Sequence, residues 1–185
     1  MNQQTTNLHQ DVIDQCLTGS REAQYQLYKL YSKAMFNVCL RMVNDRDDAE
    51  DILQDSFISA FRNLKGYRGD APFGAWMKRI VVNKSISFIK RNRGMMVPLE
   101  DDSVEVVDNR PHDFSDEQMR VDRIKEGIKL LPDGFRTVLT MYLLEGFDHK
   151  EISDVLGISE STSKSQYLRA KKKLGSILEN QVNYG

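Results

Sequence analysis

Apolar residues in this chain recur at intervals close to 3.6, and no run alternates convincingly between apolar and polar. A segment with that period can bury one continuous face only as a helix, so the chain is expected to be all-α. Ser20 is a suitable N-cap for a long helix running to about residue 43. Leu27, Leu30, Tyr31, Ala34, Met35, Val38 and Met42 fall on its inward stripe. A short helix over residues 11–17 precedes it, ended by Gly19, and Asn44 and Asp45 break the long one. A further helix over residues 47–64 turns Ala49, Ile52, Leu53, Phe57, Ala60 and Phe61 inward. Gly66, Gly69 and Pro72 mark a loop before a helix over residues 73–91, whose inward stripe is Phe73, Met77, Ile80, Val81 and Phe88.

The helical period then stops. Residues 94–117 hold Gly94, Pro98, Pro111 and many acids, the composition of a flexible acidic linker. Periodicity resumes over residues 118–131, halts at Leu131-Pro132, and continues over residues 133–145 up to Gly146. The chain is therefore expected to form two helical domains, residues 1–93 and 118–185, joined by a tether.

The most informative stretch follows. Asp148 and Glu151 have the spacing of a capping box, which opens a short helix to Leu156. Gly157 permits a tight turn and Ser159 caps a final helix to about residue 180. Two capped helices around a glycine turn make a helix-turn-helix. The second helix begins with small polar residues, including Ser161, Thr162 and Ser165, which let its N-terminus approach DNA closely. Lys164 and Gln166 have the length and chemistry to reach base edges. Arg169, Lys171, Lys172 and Lys173 add charge for the phosphate backbone. A helical hairpin with a solvated basic face is the alternative.

Charge elsewhere is segregated in a way the net value of −1 conceals. Between residues 78 and 93 lie Lys78, Arg79, Lys84, Lys90, Arg91 and Arg93 with no acid. Arg79, Asn83 and Lys90 share an outer flank of that helix, and Tyr67 and Arg68 lie in the loop before it. Cations beside aromatics suit single-stranded nucleic acid, on whose bases aromatic rings stack. Trp76, at helical spacing from Phe73, reads better as core than as a base platform, while Tyr67 is open to either role. A third cluster, Asp45, Asp47, Asp48, Glu50, Asp51 and Asp55, opens the helix over residues 47–64. Acids are favoured at a helix N-terminus by its dipole, and nothing elsewhere in the sequence completes a metal site. A protein-binding face, with Gln54 and Asp55 projecting near Phe57, is the other reading.

Composition narrows the function classes. Two cysteines, Cys16 and Cys39, and three dispersed histidines, His9, His112 and His149, give neither a disulfide framework nor a metal-ligand spacing. No nucleophile triad or glycine-rich phosphate loop appears, so no catalysis, cofactor, metal or small-molecule substrate is expected. With no signal-peptide pattern and no long apolar run, the cytoplasm is the expected location.

Three segments, in order, resemble the extracytoplasmic-function sigma factors. NDRDDAEDILQDSFISAFRNL, residues 44–64, is similar to the family's polymerase-binding helix pair, and DAEDILQDSF within it is highly specific. YRGDAPFGAWMKRIVVNKSISFIKR, residues 67–91, resembles the segment that melts and reads the minus-ten element. Residues 131–174, beginning LPDGFRTVLTMYLLEGFDHKEISDVLGISE, resemble the domain that reads the minus-thirty-five element. The resemblance implies that Asp51, Gln54, Asp55 and Phe57 contact the clamp helices of the polymerase β′ subunit. It implies that residues 63–71 capture a flipped base, that Lys78, Arg79, Asn83 and Lys84 follow the minus-ten DNA, and that residues 161–169 enter the major groove. It implies core RNA polymerase, promoter DNA and an anti-sigma factor as partners. In the family's usual Thr-Val-Lys-Ser-Arg run, this chain has Ser163 for the Val and Gln166 for the Arg. Loss of the Val is expected to weaken packing, and loss of the Arg to remove a phosphate or guanine contact. The rival readings are a helix-turn-helix regulator acting without polymerase and a nucleic-acid enzyme built on the acidic cluster.

Overall fold

The structure, a computed structural model, describes residues 8–93 and 117–183. All regular structure among them is helical, and the chain divides into two compact units, Met1–Arg93 and Gly94–Gly185. The expected tether over residues 94–117 lies, but for its last residue, outside the described residues.

The first unit contains α1 (Gln10–Leu17), α2 (Arg21–Val43), α3 (Arg46–Arg62), a 3-10 turn at Leu64–Gly66, and α4 (Phe73–Arg93). Its boundaries follow local chemistry. The Ser20 hydroxyl accepts from the Ala23 amide at 3.2 Å, and the Asp45 carboxylate accepts from the Asp48 amide at 3.0 Å. Asn44 takes the left-handed conformation (φ 55°) that ends α2, as Asn can at modest cost. Helices α2, α3 and α4 pack on one another, with α1 against α2. Leu27, Met42, Phe73, Met77, Val81 and Ile89 are fully buried at their junction, each worth about 1.5–3 kcal/mol of apolar burial.

Two inward stripes differ from the sequence expectation. Leu30 is 44% exposed and Ala34 is exposed, whereas Ala23, Cys39 and Val43 are buried. Helix α2 packs against three other helices, α1, α3 and α4, so its buried side is set by several partners and is not one straight stripe. On α4, Ile80 and Phe88 are half-buried, and Val82, Ile86 and Ile89 fill the core instead.

The second unit contains α5 (Glu117–Lys129), α6 (Asp133–Leu143), α7 (His149–Leu156) and α8 (Glu160–Asn183). Ile128, Leu131, Leu139, Ala170 and Leu174 form its apolar centre. Gly127 permits the close approach of α5 to α8, since a Cβ there would lie 2.8 Å from the Leu174 side chain. The Leu131-Pro132 stop is closed by a buried cation. Arg136 donates to the Leu131 carbonyl at 2.8 Å and pairs with Asp133, satisfying a carbonyl freed where α5 ends. The capping box on α7 is complete: the Glu151 amide donates to Asp148 at 2.7 Å, and the Asp148 amide to Glu151 at 3.0 Å. Gly157, at φ 71°, turns the chain into α8, whose Thr162 amide donates to Ser159 at 3.0 Å.

Candidate nucleic-acid interface

Helices α7 and α8 form the helix-turn-helix, and the 3.6 period of α8 sorts its residues. Ser161, Lys164, Ser165 and Lys171 are exposed on the outer side, with Thr162, Arg169 and Lys172 half-buried at its edges and Lys173 exposed. Lys164 pairs with Glu160 one turn back at 2.7 Å, and this ammonium holds the Glu160 carboxyl below its ordinary value. Gln166 departs from expectation. It is only 4% exposed, on the inner side with Ser163 and Ala170, so it supports the helix from beneath and is not placed to reach base edges. Ser163 is fully buried, and its hydroxyl is 3.0 Å from Nδ1 of His149. A hydrogen bond thus occupies the place where loss of the Val was expected only to weaken packing.

Sequence reasoning missed Leu168. It is 64% exposed and lies two helical turns beyond Ser161 and one beyond Ser165 on the same outer side. A leucine in the middle of an otherwise polar face was the available signal.

In the first unit, α4 places Arg79, Asn83, Ser87 and Lys90 along one exposed line, with Lys78 and Lys84 half-buried beside it. The preceding loop is braced by Tyr67, whose hydroxyl donates to the Ala71 carbonyl at 2.7 Å. The Tyr67 ring packs against Phe73 and Trp76 at 5.6 and 5.3 Å, half-buried rather than free. Trp76 is half-buried against Phe73 and Tyr67, so it packs yet keeps an open edge. Arg68 is exposed and pairs with Asp70 at 3.1 Å.

Helix α3 turns Asp51, Gln54 and Asp55 to solvent, while Phe57 is 3% exposed. Phe57 packs between Tyr28 and Phe61 at 4.8 and 5.9 Å, so its part in any contact is to hold the face from within. Among the described residues, no group of three or more Asp, Glu, His or Cys is arranged to hold a metal ion. The structure also brings together two sets that the sequence keeps apart. Asp51, Gln54 and Asp55 of α3 face Asn83, Lys84 and Arg91 of α4 across a groove of about 640 Å³. One wall is acidic and the other basic.

Two family models match. Sigma-70 region 2 covers residues 27–94, and Sigma-70 region 4 covers residues 122–174. The chain is 26% identical to the ECF RNA polymerase sigma factor SigM of Bacillus subtilis, over 85% of this chain and 96% of the relative. It is 27% identical to the RNA polymerase sigma-H factor of Pseudomonas aeruginosa, over 95% and 96%. It is 28% identical to the ECF RNA polymerase sigma-E factor of Haemophilus influenzae, over 94% of each. The fold resembles CnrH, solved in complex with the cytosolic domain of CnrY, at TM-score 0.55 and 23% identity over 91% of this chain and 96% of that one. It also resembles the sigma factor RpoE of Bartonella quintana, solved with the anti-sigma factor NepR, at TM-score 0.55 and 20% identity over 84% and 96%. With both Sigma-70 regions present in order, each on its own helical unit, the chain belongs to the extracytoplasmic-function family of RNA polymerase sigma factors.

Proposed function

We infer that this chain binds core RNA polymerase, recognises promoter DNA through two separate helical units and assists promoter melting at the start of transcription. The observation that carries the reading is the pairing of an exposed acidic helix in a region 2 unit with a helix-turn-helix in a region 4 unit. A regulator that ignored polymerase would account for the second unit and leave the first without a role.

In this reading, residues 1–93 dock on polymerase and hold the minus-ten element, residues 94–117 link, and residues 118–185 read the minus-thirty-five element. Asp51, Gln54 and Asp55 are the polymerase contacts on the β′ clamp helices, with Phe57 as their internal support. Lys78, Arg79, Asn83, Lys84 and Lys90 follow the downstream strand, and Tyr67 and Arg68 border the base-capturing loop. Ser161, Thr162, Lys164 and Ser165 face the major groove, and Arg169, Lys171, Lys172 and Lys173 hold phosphates. Gln166 acts indirectly through the packing of α8. Leu168 adds an apolar contact of the kind that reads a thymine methyl group.

Melting needs no chemical step. Extruding a base costs a few kcal/mol, and capture of that base with stacking of its neighbours, at about 1–3 kcal/mol each, offsets this. The protein is accordingly proposed to act without catalysis, cofactor or metal. No described helix is long and apolar enough to cross a membrane, which is compatible with work beside polymerase in the cytoplasm. Two fold neighbours were solved with protein partners, one of them named an anti-sigma factor, which supports a similar antagonist here. The test is Asp55→Lys. Affinity for core polymerase should fall at least ten-fold, about 1.4 kcal/mol, with duplex binding by the free chain unchanged. An unchanged core affinity would remove α3 as the polymerase face.

A further inference from the structure

Ser163 lies within the first turns of α8, on the side away from Ser161, Lys164 and Ser165, and is fully buried. Its hydroxyl meets Nδ1 of His149, the first residue of α7, at 3.0 Å. Two other rings fix the imidazole. Tyr142 of α6 stacks on it with centroids 4.5 Å apart and planes 17° apart. Tyr167, one turn beyond Ser163 on α8, meets it edge-on at 5.6 Å, and the two tyrosines approach each other at 4.6 Å. One side chain therefore bears on α6 and α8 while standing at the start of α7.

We propose that His149 and Ser163 are a positioning pair that sets the rotation and height of the first turns of α8, and so which base edges Ser161, Lys164, Ser165 and Leu168 reach. The proposal rests on the reading of α8 as the duplex-contacting helix. An apolar contact at position 163 would tolerate small slides of α8, because apolar attraction has no preferred direction. A hydrogen bond into a ring already held by two others tolerates far less, because it weakens steeply with angle. A buried hydroxyl without its partner is also disfavoured, which leaves α8 one seating. Base-edge contacts depend on that seating, since donor and acceptor patterns must align. Phosphate contacts from Lys171, Lys172 and Lys173 depend on it much less, because charge acts over longer distances and carries no sequence information. Loss of the pair should therefore reduce sequence selection and spare general DNA affinity.

The experiment uses the full chain with core polymerase. The complex is bound to a pool of promoter duplexes randomised over the upstream element, and the retained fraction is sequenced. Binding of the free full chain to a random-sequence duplex is measured in parallel. Ser163→Ala removes one buried oxygen, and His149→Phe keeps a ring but removes its nitrogens. Each should lower enrichment of the preferred sequence by about ten-fold and leave random-duplex affinity within about two-fold. His149→Asn, whose amide can occupy the place of Nδ1, should retain more enrichment than His149→Phe. Thermal melting identifies any variant that loses its fold. Ser163→Ala, the least disruptive change, decides the matter where a ring variant unfolds. Unchanged enrichment in folded Ser163→Ala overturns the proposal, as does equal loss of selected and random binding. If the unsubstituted chain enriches no sequence at all, the assignment of α8 to duplex reading falls, and the role of the pair falls with it.

Discussion

In the free chain, the Lys164 ammonium sits 2.7 Å from Glu160 at the start of the helix proposed to enter DNA. A phosphate or base that recruits Lys164 must compete with that carboxylate, which the lysine keeps ionised below its ordinary value of 4.5. Because the folded value is lowered, the pair is intact at neutral pH and is lost only as pH falls through that lowered value. Glu160→Gln should therefore tighten binding to duplex DNA by roughly two- to five-fold at low salt, the gap closing at high salt. Titrations at two ionic strengths check both parts. A second prediction comes from two groups in the first unit. Burial pushes up the Cys16 thiol, and burial followed by the nearby Tyr67 pushes up the Tyr31 phenol, from ordinary values of 9.0 and 10.0. Groups that keep their protons longer when folded contribute stability that is whole below the unfolded values and fades as pH rises through the folded ones. The melting temperature should thus fall as pH rises above about 9, and above about pH 10 less steeply in Tyr31→Phe. At this scale the sequence was only partly legible. Types and spacing pointed to Lys164, to Asp55 and to the inward turn of Phe57, but the inward turn of Gln166 depends on how α8 is rotated against its neighbours. The His149–Ser163 contact spans 14 positions and two helices, so no local pattern could announce it.

Helix ends were far more legible, because capping is settled within four residues. Ser20, Asp148 and Ser159 each accept the backbone amide that their reading as caps implies, and Asp45, read only as a break and part of an acidic cluster, caps α3 as well. Asp148→Ala should cost about 1–2 kcal/mol, since it removes the acceptor of the Glu151 amide and leaves only the backbone half of the capping box. Gly157→Ala should cost about 1–2 kcal/mol for a different reason, the left-handed backbone at φ 71°. Denaturant titration monitored by circular dichroism checks both values. A cost below about 0.3 kcal/mol for either would mean that the turn is held by packing alone. The long α2 was less legible than its caps. Leu30 and Ala34 fit the average period, yet α2 packs against three helices, and the buried side is set by those partners.

Across the whole molecule, the division into two helical units was readable from the lapse of periodicity after residue 93, and the family from three motifs in order. The shared groove between α3 and α4 was not readable, because Asp51 and Lys84 lie far apart in sequence and come to line one groove only through helix packing. Their juxtaposition places the proposed polymerase contacts against the proposed minus-ten contacts, so the proposal assigns docking and strand capture to adjoining walls of one unit. The most direct measurement of the central claim is run-off transcription from fragmented chromosomal DNA with purified core polymerase, with and without the full chain. The account predicts a set of discrete transcripts that appear only when the chain is added, with start sites sharing two upstream elements at fixed spacing. If the chain binds DNA yet core polymerase gives the same unselective products with and without it, the sigma-factor account is contradicted.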